Sequence, residues 1–254
     1  YYQCANRTGR VFYGKKKEFE KMIGFYNYTV WLTYLSLISA GTGIMISLYS
    51  HAHPFIGVFF LLVSGLCDAF DGKVARSKKN RTEMEKKFGI QIDSLADMVS
   101  FGVLPACIGS AMMRVVLQNY EAGDPTGADK LLSHPYFFIC YAVIILYILA
   151  ALIRLAYFNV AEEERQKTEG GVRKYYEGLP VTSAALIFPT VLLFQYVLPK
   201  DITWIYFLAM AVTGFLFISK IPVKKPDTKG ILAMVGIGAI EFIILIATWM
   251  YYEG

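Results

Sequence analysis

Histidine and cysteine are scarce in this chain. Its 254 residues include only three histidines and four cysteines. The cysteines stand apart, without the spacing of a metal site, and are interpreted as small apolar residues that fill a core. They are Cys4, Cys67, Cys107 and Cys140. A zinc site built from sulfur and imidazole ligands is therefore not expected.

Charge is scarce as well. Only 18% of the residues are charged, whereas 56% are hydrophobic, and apolar runs of nearly twenty residues recur, as membrane-spanning helices require. A single soluble core does not need so much apolar sequence. We predict an all-α polytopic transmembrane bundle of about seven spans at 27–254, preceded by a basic, amphipathic segment at 1–26. The spans are placed near 27–49, 54–71, 90–113, 136–158, 179–198, 202–219 and 230–252.

The basic residues are distributed unequally between the two sides of this topology. All but three of the 25 Lys and Arg fall on one side, and the exceptions are Arg114, Lys130 and Lys200. By the positive-inside rule, the amino-terminal segment and the loops on its side are cytoplasmic. The net charge of +5 then reflects topology and attraction to anionic lipid. We see no basic patch interleaved with aromatic residues, so no nucleic-acid partner is predicted.

The amino-terminal segment is interpreted as part of the protein rather than as a cleaved signal. No cleavable signal peptide is visible, and because the chain begins at Tyr1 rather than at Met, we expect a few native residues to precede it. The prediction is a multi-pass protein of the cell membrane.

Four aspartates interrupt the second and third apolar segments, as two acids in each: Asp68, Asp71, Asp93 and Asp97. At about 100° per residue, each pair lies on one face of a helix. Apolar residues flank the cluster, so part of it lies at membrane depth, where an unpaired carboxylate costs several kcal/mol and a cation is required. Oxygen ligands favour hard ions such as Mg²⁺, Mn²⁺ or Ca²⁺ over zinc, and four carboxylates can bridge two such ions.

Small residues and an arginine accompany the acids. Gly72 and Gly89 remove side chains where a ligand or a neighbouring helix approaches closely. Arg76 is a permanent cation suited to phosphate or carboxylate. Together with the acids, these residues indicate phosphoryl-transfer chemistry.

The whole run resembles the signature of the CDP-alcohol phosphotransferase family. It reads D-A-F-D-G-K-V-A-R from Asp68 to Arg76 and G-I-Q-I-D-S-L-A-D from Gly89 to Asp97. Every fixed position of D-x-x-D-G-x-x-A-R and G-x-x-x-D-x-x-x-D is matched, although the spacer between the two parts is longer than is common. The resemblance implies a six-helix core around the site and usually a homodimer. It also implies CDP-diacylglycerol as the donor and two divalent cations, Mg²⁺ or Mn²⁺.

The resemblance also implies roles for individual residues. Asp97 is the family's expected general base. The first helix of the family often begins with Asn and Thr near the nucleotide, which makes Asn27 and Thr33 candidates, although small polar residues there also suit helix packing alone. The implied metal ligands are Asp68, Asp71, Asp93 and Asp97, and the implied nucleotide-binding positions are Gly72, Ala75 and Arg76.

Three further stretches resemble the branch of the family that makes phosphatidylserine. They are S-F-G with a following Pro at 100–105, R-L-A-Y-F-N at 154–159 and G-L-P at 178–180. A departure is Thr182, where that branch commonly has Pro. These stretches imply transfer of a phosphatidyl group to L-serine, with release of CMP. Arg154 is the candidate ligand of the serine carboxylate, although an arginine at the inner membrane edge is often only a snorkelling anchor.

Two other functions remain open. Within the family, the acceptor could be glycerol 3-phosphate or inositol phosphate, which would need a basic pocket for a second phosphate. Outside it, a cation transporter could use the acids as an ion path, but no internal repeat is visible. A direct displacement and a covalent phosphatidyl-enzyme are both formally possible. We favour direct attack because the histidines form no Ser–His or Cys–His arrangement; they are His51, His53 and His134.

A fifth acid, Glu241, stands alone in the last apolar segment. An ionisable residue within a membrane span often has a function. No polar residue at helical spacing accompanies Glu241, so we favour a protonated or hydrogen-bonded packing role.

Overall fold

A computed structural model describes residues 3–5, 11–13, 23–49, 54–123, 135–168, 175–197 and 201–253. Nearly all of these residues are helical, as the long apolar runs predict. We number the α-helices α1 to α8 in chain order, and a short 3-10 turn, Tyr28–Val30, precedes α1. The bounds are Trp31–Leu48, Pro54–Ser77, Glu83–Asp97, Leu104–Gly123, Pro135–Thr168, Ala184–Val197, Thr203–Ile218 and Thr228–Glu253.

Five helical stretches of the described chain are long and apolar enough to cross a membrane. They are Tyr28–Leu48, Pro54–Ser77, Glu83–Gln118, Pro135–Lys167 and Lys229–Thr248. Two shorter apolar helices, α6 with 14 residues and α7 with 16 residues, fall at the fifth and sixth predicted spans. At about 1.5 Å per residue these two are shorter than a hydrocarbon core of about 30 Å. The prediction of an all-α polytopic membrane protein is confirmed.

The third span begins earlier than hydropathy suggests, at Glu83 rather than near residue 90. Thr82 starts α3 with a capping box: its hydroxyl accepts from the Glu85 backbone N–H at 3.1 Å, and the Glu85 carboxylate accepts from the Thr82 N–H at 2.8 Å. This reciprocal pair satisfies two N–H groups that a helix end leaves open. The first turns of α3 are therefore polar but helical.

A π-helical turn, Met98–Val103, joins α3 to α4 without a break. Pro105 has no N–H, so it cannot donate to the Phe101 carbonyl as a helical residue would. Instead, the hydroxyl of Tyr147 on α5 donates to that carbonyl at 2.6 Å. The Leu104 N–H bonds to the Val99 carbonyl, five residues back. The π turn thus lies directly after Asp97 and is held by α5.

The helices pack around a buried apolar core. Helix α1 lies along α2, α5 lies along α7, and α6 contacts both α2 and α8. Gly43 permits the close α1–α2 approach, since an added Cβ would lie 2.8 Å from the Phe60 Cβ. Aromatic rings fill the centre, where Phe188 lies 5.5 Å from Tyr147 and 5.1 Å from Tyr206 between ring centroids.

Two short antiparallel strand pairs accompany the helices. Strand β1, Gln3–Ala5, pairs with β2, Val11–Tyr13, whereas residues 14–22 of the predicted basic, amphipathic segment lie outside the described residues. Strand β3, Tyr175–Glu177, pairs with β4, Pro222–Lys224. The second pair, called the β3–β4 clip below, joins the segment after α5 to the segment after α7.

Candidate active site

Helices α2 and α3 bring the four aspartates together. Carboxylate oxygens of Asp68, Asp71 and Asp93 lie within 4.8 Å of one another. Across the two helices, the Asp97 side chain lies next to that of Asp68, and the Asp93 side chain lies next to that of Asp71. The helical spacing of each pair and the packing of one helix on the other therefore produce a single acidic cluster.

The donor groups of this cluster suit a cation. Two carboxylates at hydrogen-bonding distance repel each other unless they share a proton or a cation. Asp71 is only 9% exposed, so water screens its charge poorly. Carboxylates as donors, with neither imidazole nor thiolate among the clustered groups, fit hard divalent ions that accept six or more oxygen ligands. The residues present thus fit Mg²⁺ or Mn²⁺.

Helix α1 orients the cluster from the side. Thr33 donates its hydroxyl hydrogen to Asp71 Oδ2 at 3.1 Å, and both residues are buried. Close by on the same face of α1, Ser36 Oγ lies 3.3 Å from Ser100 Oγ on the π turn, and Ser64 Oγ donates to the Ser36 carbonyl at 3.0 Å. These buried bonds fix α1, α2 and the π turn relative to one another.

The predicted nucleotide positions follow the acids on the last turns of α2. The guanidinium of Arg76 folds back over Gly72, where its Nη1 lies 3.2 Å from the place a Cβ would occupy. A larger residue at Gly72 would therefore push Arg76 away from the cluster. The Ala75 carbonyl accepts from Arg81 Nη1 at 3.3 Å. Arg76 is exposed, so its guanidinium is accessible to a phosphate at the mouth of the site.

Asn27 lies beside the amino-terminal end of α3 and bonds to protein groups. Its Oδ1 accepts from the Thr29 N–H at 3.1 Å, which caps the 3-10 turn. Its Nδ2 donates to Glu85 Oε1 at 3.0 Å, and the Lys78 ammonium donates to the same oxygen at 2.6 Å. These contacts make Asn27 a capping and bridging residue, and its role toward a nucleotide stays a prediction.

Arg154 is buried on α5, with only 6% of its surface exposed. Its Nε donates to the Leu179 carbonyl at 3.1 Å, and its guanidinium carbon lies 5.2 Å from the centre of the Phe158 ring. A snorkelling arginine would place its charge in water, so this burial argues against the simple anchor.

Asn159, which ends the same sequence stretch, ties α5 to α3. Its Nδ2 donates to Ser94 Oγ at 2.8 Å, and Ser94 directly follows Asp93 in the chain. Sequence reasoning did not single out this bond as part of the site. The feature of the sequence that could have indicated this bond is the position of Ser94 between Asp93 and Asp97, two predicted metal ligands.

Comparisons with known proteins agree with these features. A family model described as CDP-alcohol phosphatidyltransferase matches residues 26–251. A CDP-diacylglycerol–serine O-phosphatidyltransferase of Saccharomyces cerevisiae is 37% identical over 131 residues, 51% of this chain and 38% of the relative. A protein of the same name from Mycobacterium leprae is 28% identical over 205 residues, 79% of this chain and 59% of the relative.

An archaeal relative is similar over a comparable length. The archaetidylserine synthase of Methanothermobacter thermautotrophicus is 28% identical over 199 residues, 77% of this chain and 70% of the relative. The chain spans less than two thirds of the length of the yeast and mycobacterial relatives.

Proposed function

The chain belongs to the CDP-alcohol phosphatidyltransferase family, and from this premise we propose that it transfers the phosphatidyl group of CDP-diacylglycerol to L-serine. The products are phosphatidylserine and CMP. The observation that carries the proposal is the meeting of four carboxylates on α2 and α3, with the Arg76 guanidinium folded over Gly72 beside them. A divalent metal site next to a phosphate-binding cation suits a diphosphate donor.

The acidic cluster would hold two divalent cations, Mg²⁺ or Mn²⁺. When bound, they offset the charge of the diphosphate and the charge that develops on departing CMP. The ligands are Asp68, Asp71, Asp93 and Asp97. Thr33 holds Asp71 through its 3.1 Å hydrogen bond and so limits the rotation of that ligand. Gly72, Ala75 and Arg76 admit and bind the nucleotide end of the donor, with Asn27 and Thr33 on its α1 side.

Asp97 acts as the general base. The serine hydroxyl is a weak nucleophile at neutral pH, so a positioned carboxylate that takes its proton lowers the barrier. The serine oxygen forms a bond to the β-phosphorus, the bond from that phosphorus to the CMP oxygen breaks, and the hydroxyl proton passes to Asp97. This direct displacement needs no covalent phosphatidyl-enzyme.

Serine as the acceptor is supported by two independent observations. The names of the three relatives all specify a serine-containing product or a serine acceptor. In addition, Arg154 offers a buried guanidinium on the helix that Asn159 joins to α3. Serine is a zwitterion whose carboxylate must leave bulk water, and an arginine fork offsets that desolvation with directional hydrogen bonds.

The remaining parts of the proposal concern the setting of the enzyme. The unequal distribution of basic residues supports an active site at the cytoplasmic face of the cell membrane. Residues 27–254 form one catalytic transmembrane domain after the basic segment at 1–26, and the enzyme works as a homodimer, as is usual in the family.

An acceptor screen tests the function. Purified protein with CDP-diacylglycerol and Mg²⁺ or Mn²⁺ should release CMP with L-serine and give phosphatidylserine. Ethanolamine, which lacks the carboxylate, should be a poor acceptor. Preference for glycerol 3-phosphate or inositol 1-phosphate would show that the acceptor assignment is wrong, and cation flux without CMP release would favour the transporter.

Arg154→Lys tests the proposed carboxylate ligand. The variant keeps the positive charge but loses the planar fork. We expect the serine KM to rise about tenfold or more, consistent with losing one directional charge-assisted bond, whereas the KM for CDP-diacylglycerol changes little. An unchanged serine KM would leave serine as the acceptor and remove Arg154 from its binding site.

A further inference from the structure

Two contacts of different kinds hold the Arg154 guanidinium. The Leu179 carbonyl accepts from its Nε and fixes one edge of the planar group. The Phe158 ring, four residues further along α5 and thus on the same helix face, supports the flat side of the group. An edge contact and a face contact together define the direction of the fork.

The Phe158 ring is itself held by the β3–β4 clip. Tyr176 of β3 meets it edge to face, with 5.7 Å between ring centroids and an interplanar angle of 68°. The Lys225 ammonium also contacts Tyr176 and lies 5.7 Å from the centre of its ring. Arg154, Phe158, Tyr176 and Lys225 therefore form one continuous stack, called the aromatic ladder below, which runs from a buried arginine to an exposed lysine.

The clip fixes the Leu179 carbonyl as well. Gly178, which follows β3, has φ of 78°, a conformation that favours glycine. Its N–H donates to the Ile221 carbonyl at 2.8 Å, and the Leu179 N–H donates to the Leu216 carbonyl at 3.0 Å. A Cβ at Gly178 would lie 2.6 Å from the Ser219 carbonyl oxygen. Both contacts to the guanidinium thus depend on backbone that β3, β4 and the end of α7 hold in place.

We propose that the β3–β4 clip positions the acceptor site, and that Tyr176 is a positioning residue that aims Arg154 at the carboxylate of the amino-acid acceptor through Phe158. The inference rests on the proposed function, because it needs the serine carboxylate as the ligand of Arg154. Tyr176 contributes no bond to the reacting atoms. Its effect is on the binding of the acceptor, since a guanidinium that keeps its charge but loses its direction forms fewer simultaneous bonds to a carboxylate.

The test compares Tyr176→Ala with Tyr176→Phe in the full chain, using CDP-diacylglycerol in mixed micelles. The alanine variant removes the ring that supports Phe158, and we expect its serine KM to rise about three- to tenfold, in line with the strength of an aromatic pair. The KM for CDP-diacylglycerol and kcat at saturating serine should stay within about twofold of the parent values. The phenylalanine variant keeps the ring and should restore the serine KM.

Glu177→Ala is the matched control. The Glu177 carboxylate accepts from the Tyr157 hydroxyl at 2.9 Å, so this change also removes a clip-to-α5 contact but leaves the aromatic ladder untouched. We expect the parent serine KM from this variant. If both alanine variants raise the KM values for serine and CDP-diacylglycerol together, the clip only stabilises the fold and the inference is wrong.

Tyr176→Leu covers the case in which the alanine variant does not fold, because leucine keeps apolar volume without an aromatic face. Serine-dependent CMP release with an unchanged serine KM, in whichever of the alanine and leucine variants folds, overturns the inference and leaves the proposed function standing. A parent enzyme that releases no CMP with serine overturns the proposed function, and the inference with it.

Discussion

Two buried acids in this protein, each hydrogen-bonded to a threonine, illustrate different ways of keeping an acid inside a membrane. Thr33 on α1 donates to Asp71, which has three other carboxylates around it. Thr190 on α6 bonds to Glu241 on α8, which is 6% exposed and has apolar neighbours along its helix. The first acid belongs to a group of carboxylates that could hold a cation, whereas the second has one threonine hydroxyl as its hydrogen-bond partner within the described residues.

A protonated Glu241 carboxyl would complete the hydrogen bonding of the second pair. The Thr190 hydroxyl also bonds to the Leu186 carbonyl at 2.7 Å. One hydroxyl proton cannot serve both oxygens, so the arrangement is complete when the Glu241 carboxyl is protonated. Within the described residues its Oε2 has no hydrogen-bond partner, which costs far less for a neutral carboxyl than for a charged one. The two regions thus differ in the number of acids that converge, and this number, rather than the burial of the acids, distinguishes the proposed metal site from a packing contact.

Removal of divalent metal should have the largest effect on activity, and it should act on the acidic cluster rather than on the Thr190–Glu241 pair. EDTA should abolish CMP release, because the clustered carboxylates lose the cations that offset their charge. Mg²⁺ or Mn²⁺ should restore activity, and Zn²⁺ should do so poorly. The Glu241→Gln variant should respond to EDTA like the parent. Full activity in a rigorously metal-free preparation would contradict the two-ion model.

Asp97→Asn should have the next largest effect. Loss of the base should lower turnover by a factor of about 10² to 10⁴, while much of the affinity for CDP-diacylglycerol is kept. Asp71→Asn should lose donor binding as well, because it removes a central ligand. Steady-state kinetics with donor titration separate the two outcomes. Nearly normal turnover in the Asp97 variant would require another base.

The same change to valine at each threonine should affect different properties: activity for Thr33 and stability for Thr190. Thr33→Val frees Asp71 to rotate. We expect about a tenfold loss of activity, which corresponds to the loss of one hydrogen bond, and a higher concentration of metal needed for full activity. Thr190→Val should keep activity per folded molecule but lower stability by about 1 to 3 kcal/mol, because a buried carboxyl loses its partner. Thermal unfolding and metal titration measure both effects. Equal activity losses would mean that Glu241 also serves the reaction.

The smallest effect is expected for Glu241→Gln. Glutamine keeps the volume and a donor for Thr190, so activity should stay within about twofold of the parent and stability within about 1 kcal/mol. Glu241→Leu is a companion variant that removes the carboxyl altogether. It leaves the Thr190 hydroxyl with its bond to the Leu186 carbonyl. A loss of CMP release greater than tenfold in the folded glutamine variant would assign a function to this acid.

The helices and the acidic cluster could be predicted because both follow from local periodicity. Apolar runs define spans, and acids three or four residues apart share a helix face wherever the helix ends up. The π turn escaped prediction because hydropathy does not report hydrogen-bond register, and the turn depends on Tyr147, which is remote in sequence. The clip escaped because each strand has only three residues and its partner lies beyond two helices.

The candidate site residues also divide into those that the sequence could indicate and those whose surroundings it could not. The family resemblance made Thr33 a candidate near the nucleotide, and its hydroxyl contacts Asp71. The environments of Asn27 and Arg154 could not be predicted, because the capping of a short turn and the burial of a guanidinium depend on Glu85 and Leu179 in other parts of the chain.

The π turn also gives this stretch of chain a fixed phase. Its five-residue hydrogen bond accommodates one residue more than an α-helical turn would, and each residue rotates a helix by about 100°. Deleting one residue between Asp97 and Leu104 would remove that extra residue and restore ordinary helical winding, so α4 would keep nearly the same face toward the core. A one-residue deletion within α3 or α4 would instead turn the helix beyond it by about 100° and carry Leu104, Ile108 and Met112 out of the core or the aspartates out of the cluster. The π turn is therefore the part of this long helical rod that accommodates a change of one residue in length.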